Sequence, residues 1–219
     1  MMNEKAGVVF SIAEENAAVP GCTVSKLLSK ENEYYISYFS LAEGTDISAE
    51  TYQYPKLWLV NDGMMEVDRP EENMNRVIKK GEVYMTPVNR LVGVSTKSGC
   101  IYTEITLKED SKMNQILKDK EIFALKDLLP YQDGKIVNMD LISDEKLKLV
   151  LMSFAEGTGL SEHAAPGEAL IFALDGEGII GYEGKEYTIH AGENFKFEKN
   201  GAHYVKADKK FKMALLLTL

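Results

Sequence analysis

Ala42-Glu43-Gly44-Thr45 and Ala155-Glu156-Gly157-Thr158 are the same four residues set 113 positions apart, and they decide how the chain is read. At that displacement Phe10 falls on Phe123, Gly21 on Gly134, Val24 on Val137, Leu28 on Leu141, Ser48 on Ser161, Leu57 on Leu170 and Gly63 on Gly176. A register held over so long a stretch marks an internal duplication. In the last third of each copy the displacement falls to 111, because Gly81-Glu82 matches Gly192-Glu193. The first copy therefore carries two extra residues within 67–78, around Arg69-Pro70-Glu71-Glu72-Asn73, and a hairpin tip is where such an insertion is tolerated. The 219 residues divide accordingly into two domains, 1–112 and 113–219.

Within a copy the pattern is of short apolar or alternating runs bounded by Gly, Asn, Asp or charged pairs, which reads as small β-strands and turns. In the second copy the runs are 147–154, 169–174, 178–182, 187–189, 194–197, 203–207 and 212–217. Such even spacing predicts an antiparallel barrel or sandwich. Asp175-Gly176, Glu183-Gly184, Ala191-Gly192 and Asn200-Gly201 supply the turn signals between runs. Helical signal is confined to the junction. Met113, Ile116 and Leu117 at helical spacing predict a short linker helix over 112–120, with a further turn over 125–129 before Pro130.

Composition narrows the partners. An apolar fraction of 45% gives each half an ordinary globular core. A net charge of −9 and an isoelectric point near 5.0 argue against a nucleic-acid or anionic-membrane surface, which needs a basic footprint. Cys22 and Cys100 lack metal-type spacing and form no disulfide framework, so a reducing cytoplasm is expected. No stretch approaches the ~18 apolar residues of a membrane span, and Met1-Met2-Asn3-Glu4-Lys5 opens on no apolar run.

All three histidines, His163, His190 and His203, lie in the second copy. There Gly157 is followed after five residues by His163, then by Ala165 and Ala169, with Gly176 six residues further on. Gly192 is followed after five residues by Glu198, then by Asn200 and, after two more, His203. This spacing resembles the paired signature of the cupin superfamily: Gly, five residues, His-x-His, three or four residues, Glu, six residues, Gly, and later Gly, five residues, Pro-x-Gly, two residues, His. The lead-in from Leu128 to Val137 is also similar to that of small single-domain cupins. The resemblance covers 121–219 well and 8–107 more faintly. It implies an all-β chain of two tandem cupin barrels (double-stranded β-helix, or jelly-roll) joined by a short linker helix.

The resemblance also implies a ligand set. In metal-binding cupins two histidines and a carboxylate from the first motif and a histidine from the second surround one divalent metal. Here those positions hold His163, Ala165, Ala169 and His203, so two of the four are retained. Glu168 is adjacent to the carboxylate position. Strict strand alternation turns it to the opposite face, while Pro166-Gly167 before it offers a shift of register. In the first copy the equivalents are Glu50, Tyr52, Lys56 and Val92, a set unsuited to a metal. That half reads as a structural or dimerising barrel, and whether Tyr52, Lys56 and Trp58 plug its cavity stays open.

The leading expectation is a C-terminal barrel that binds a small polar or anionic metabolite, of sugar or carboxylate type, through His163, Glu168 and His203. The alternatives are a cupin enzyme of isomerase, dioxygenase or decarboxylase class with Zn, Mn, Fe or Ni on His163 and His203, and a structural or regulatory barrel. The expected assembly is a homodimer or an intrachain pseudo-dimer. His190, just before Ala191-Gly192, reads as an exposed strand end, and Trp58 as core.

Overall fold

A computed structural model describes residues 2–31, 34–119 and 121–219. In chain order the strands of the first half are β1 (Val9–Phe10), β2 (Thr23–Glu31), β3 (Tyr34–Leu41), β4 (Asp46–Thr51), β5 (Lys56–Arg69), β6 (Met74–Lys79), β7 (Glu82–Met85), β8 (Leu91–Ser95) and β9 (Cys100–Thr106). Those of the second are β10 (Ile122–Ala124), β11 (Ile136–Ser143), β12 (Leu147–Phe154), β13 (Thr158–Ala164), β14 (Glu168–Tyr182), β15 (Lys185–His190), β16 (Asn194–Phe197), β17 (Ala202–Ala207) and β18 (Phe211–Thr218). Among the described residues helix is limited to α1 (Ile12–Glu15), α2 (Gln115–Asp119) and two single 3-10 turns at Pro70–Glu72 and Leu125–Asp127. Among the described residues no helix is long and apolar enough to cross a membrane. Both cysteines are free thiols, Cys22 exposed and Cys100 buried.

The duplication is visible in the pairing. One sheet runs β10-β7-β5-β9-β3-β2 and the other β1-β16-β14-β18-β12-β11, the same path in each copy, with β4-β8 and β13-β17 in equivalent places off it. All these pairings are antiparallel. β12 alternates as period-2 burial requires, buried-intermediate over most of its length with Leu147, Leu149 and Leu151 buried, whereas β9 and β16 are buried on both faces. The two extra residues of the first copy lengthen the connection between β5 and β6 to 70–73, which contains the 3-10 turn. The second copy makes the same connection with Glu183 and Gly184, both at positive φ.

Asp175-Gly176, read from sequence as a turn, lies inside the continuous fifteen-residue strand β14. It is a bulge: the register against β18 shifts between Ala173 and Asp175, and Gly176 has φ +73°. A Cβ there would lie 1.9 Å from the carbonyl oxygen of Lys210, so only glycine lets β14 bend here. The bend lets the strand pair with β16 and β18 in its first half and with β15 and β17 in its second. Gly63 does the same for β5, with φ +72° and the carbonyl oxygen of Gly99 2.2 Å from a built Cβ.

The repeat places a boundary between 112 and 113, whereas the two compact units draw on both sides of it. One comprises 13–111 with 117–124, and the other comprises 2–12, 112–116 and 125–219. The physical reason is edge pairing: β10 adds to β7 in the first unit and β1 adds to β16 in the second, through backbone groups. The first unit packs around Trp58, Tyr84, Tyr102, Met65, Val67 and Ile78. The second packs around Phe154, Phe195, Phe197, Phe211, Ile171 and Ile180.

Candidate functional site in the C-terminal barrel

The pairing of β13 with β17 sets the site. The register shifts between Leu160 and His163, and beyond the shift His163 stands directly opposite His203. Residues forty positions apart thus bring their rings to a centroid separation of 4.4 Å, tilted by 53°. His163 is exposed and His203 only 4% exposed, its ring stacked on Phe197 at 4.0 Å and 19°.

Hydrogen bonding fixes the tautomers. His163 Nδ1 lies 2.9 Å from the carbonyl oxygen of Ser161, and His203 Nδ1 lies 2.8 Å from that of Gly201. A carbonyl only accepts, so both Nδ1 atoms carry the hydrogen and each neutral ring keeps its lone pair on Nε2. Burial pushes the His203 pKa below the usual histidine value, against the opposing bond to Gly201, and His163 lowers it further. The buried ring is therefore neutral near pH 7, with Nε2 as its acceptor atom.

Of the sequence-derived set, His163 and His203 come together and Glu168 does not join them. Glu168 opens β14, where Ala169 and Ile171 turn into the core with Phe197. Alternation sends Glu168 to the other face, and Pro166-Gly167 does not reverse it. There its carboxylate accepts the backbone N–H of Met2 at 2.7 Å and pairs with Lys196 Nζ at 2.8 Å. Lys196 also reaches Glu198 Oε1 at 2.9 Å and the carbonyl oxygen of Met2 at 3.0 Å. The segment 2–12 is tied down further by Gly7 N–H to the Lys196 carbonyl and by Ile12 N–H to Asn194 Oδ1. Glu168 is thus an anchor for that segment.

The divalent metal implied by the cupin pattern finds a poor donor set. Ala165 and Ala169 offer no ligand atoms, Glu168 is engaged elsewhere, and among the described residues no three His, Cys, Asp or Glu side chains are placed so that they could hold a metal ion. Two imidazoles fall below the three protein ligands of a resident catalytic metal, so the residues present do not fit one. His190 ends β15, exposed, with Glu193 at 3.2 Å and Glu177 at 3.4 Å.

Sequence reasoning missed Phe197, which forms the flat wall behind His203, and Lys196 beside it. The sole signal for Lys196 is a lysine inside the apolar run Asn194–Phe197. It also missed Glu104 in the first copy, where a lone carboxylate sits in the buried strand β9.

Comparison with known proteins agrees with this architecture. The Cupin domain family model matches residues 150–219. A cupin 2 conserved barrel domain protein from Leptotrichia buccalis superposes with a TM-score of 0.86 at 28% identity, each chain covered in full. A salicylate 1,2-dioxygenase variant from Pseudoaminobacter salicylatoxidans gives a TM-score of 0.66 at 10% identity, over 96% of this chain and 83% of that one. AerE from Microcystis aeruginosa gives 0.55 at 13% identity, over 89% and 91%. At those identities the last two are similar in fold alone. No curated protein matches the sequence. The match over the second copy and the full-length likeness to a solved cupin barrel protein place the chain in the cupin superfamily.

Proposed function

We propose that the C-terminal barrel binds a small hydroxylated metabolite, of sugar or carboxylate type, at His163 and His203. The observation that carries this reading is the commitment of both Nδ1 atoms to backbone carbonyls, which leaves two neighbouring Nε2 acceptors. Two acceptors side by side call for a ligand that presents O–H or N–H donors, as vicinal hydroxyls do. Phe197 behind His203 supplies an apolar backing, and the alanines at 165 and 169 take up little room where the family pattern has larger side chains.

Isothermal titration with gluconate and glucose 6-phosphate as first probes tests the reading. Saturable binding is expected at neutral pH. His203→Ala is expected to weaken it about ten-fold, equivalent to about 1.4 kcal/mol, the scale of one or two hydrogen bonds. An affinity unchanged in His203→Ala removes the assignment.

A further inference from the structure

The N-terminal barrel holds a different group at the equivalent place. Glu50 stands opposite Val92 across β4 and β8, as His163 stands opposite His203, so no imidazole faces the interior here. Instead Lys56, at the position that corresponds to Ala169, points its ammonium at an aromatic and acidic set. Nζ lies 2.9 Å from Glu104 Oε1 and 4.1 Å from the centroid of the Tyr52 ring. Glu104 Oε2 accepts the indole N–H of Trp58 at 2.8 Å, so both carboxylate oxygens are used. Trp58 in turn packs edge-on against Tyr52 at 6.2 Å and against Tyr102 at 5.5 Å. The backbone of Lys56 is clamped to Thr86 in both directions at 2.9 Å, which fixes where its side chain starts.

A primary ammonium over a tyrosine face and against a buried carboxylate is the geometry by which proteins bind organic amines. The second copy shows that the barrel does not need this cluster. Lys56, Tyr52, Trp58 and Glu104 correspond there to Ala169, Ala165, Ile171 and Leu215, two of which the strand register pairs as it pairs Trp58 with Glu104. The cation, the carboxylate and the two aromatics beside them occur together in one copy and are replaced together at the equivalent positions of the other, so they form one unit. We propose that the N-terminal barrel is a binding site for a primary alkylammonium group, and that the chain fills it with its own Lys56 as a tethered ligand. The Lys56 side chain keeps 20% of its exposure, so the position is reachable from solvent, whereas Glu104 is 7% exposed and fixed.

The test is to remove the tether and supply the ligand. Trp58 is the single tryptophan of the chain and touches the carboxylate, so its emission reads the site directly. Titrated with ethylammonium chloride against equal sodium chloride, Lys56→Ala is expected to show a saturable Trp58 change and a rise in melting temperature. Binding should be about ten-fold tighter than in the wild type, the scale of one cation–π contact with one charge-assisted hydrogen bond. Tetramethylammonium, which has no N–H to give Glu104, should do neither, and Lys56→Ala/Glu104→Leu should not respond. If Lys56→Ala does not fold unaided, refolding yield in ethylammonium against sodium is read instead, with recovery expected only in the former. An equal response in Lys56→Ala and the double variant, or recovery in neither salt, reduces the cluster to a structural ion pair and overturns the proposal.

Discussion

Lys196→Met should uncouple the segment 2–12 and destabilise the C-terminal unit. Lys196 is 1% exposed, and its ammonium bonds Glu168, Glu198 and the Met2 carbonyl within 3.0 Å. Burial opposes its charge, but the bonds to Glu168 and Glu198 outweigh that and leave its pKa raised. A raised lysine pKa means that the stabilisation is fully present at neutral pH and is lost only as pH climbs through the alkaline range. Substitution by methionine keeps the stem and deletes the charge, taking the cation away from the Glu168 carboxylate, itself 7% exposed. Breaking a buried pair from one side costs about 3–5 kcal/mol, while the Glu198 arm, with its side chain 48% exposed, adds little. For a unit of this size that corresponds to a fall in melting temperature of roughly 15–25 °C. Urea unfolding followed by circular dichroism measures the loss. Hydrogen exchange at Gly7 and Ile12, whose amides bond the Lys196 carbonyl and Asn194, locates it. Lys196→Met/Glu168→Leu should recover a good part of the deficit, because both charges then leave together. A loss below about 1 kcal/mol, well short of that range, or no recovery in the double variant, would refute the claim that Glu168 serves as an anchor.

Two further outcomes follow from backbone and proton chemistry. His203 has a folded pKa below its unfolded value, so its neutral form stabilises the fold above the ordinary histidine range, and that contribution is lost as pH falls through it. His203→Phe should flatten the decline in stability of the second unit between neutral and mildly acidic pH, and parallel curves for the two proteins would contradict this. Gly176→Ala should cost upwards of about 2 kcal/mol, since its Cβ meets the Lys210 carbonyl, whereas Gly184→Ala, at φ +75° with nothing within 4 Å, should cost about half as much. Equal costs by urea unfolding would show that space at the bulge is not what selects glycine.

The strands and the repeat were legible because they rest on local signals: period-2 burial in β12, glycines at positive φ, and a duplicated register. The convergence of His163 and His203 was legible only through the family spacing, since nothing local says that β13 pairs with β17. Three features escaped for one shared reason, that the sequence of a strand does not name its neighbour. The docking of 9–10 on β16 runs through backbone groups that every residue has. Lys196 looks like any surface lysine until Glu168 and Met2 arrive from far along the chain. Glu104 is intelligible only once Lys56 and Trp58 are seen across β5 and β9. The face of Glu168 was, by contrast, decidable from alternation alone, and a proline-glycine pair before a strand is a weaker influence than the pleat within it.

The two interiors show how a duplicated barrel can diverge. A neutral imidazole needs one acceptor for its N–H, and a backbone carbonyl two residues away supplies it in both His163 and His203, so each histidine is held without a partner evolving elsewhere. A buried charge has no such local remedy: Glu104 without Lys56 leaves a carboxylate in a low-dielectric interior at a cost of several kcal/mol. Charged interiors therefore change by pairs, and neutral ones by single steps. The second copy, with Ala169 and Leu215 where the first has Lys56 and Glu104, lacks both members of the pair, which is the pattern this constraint requires.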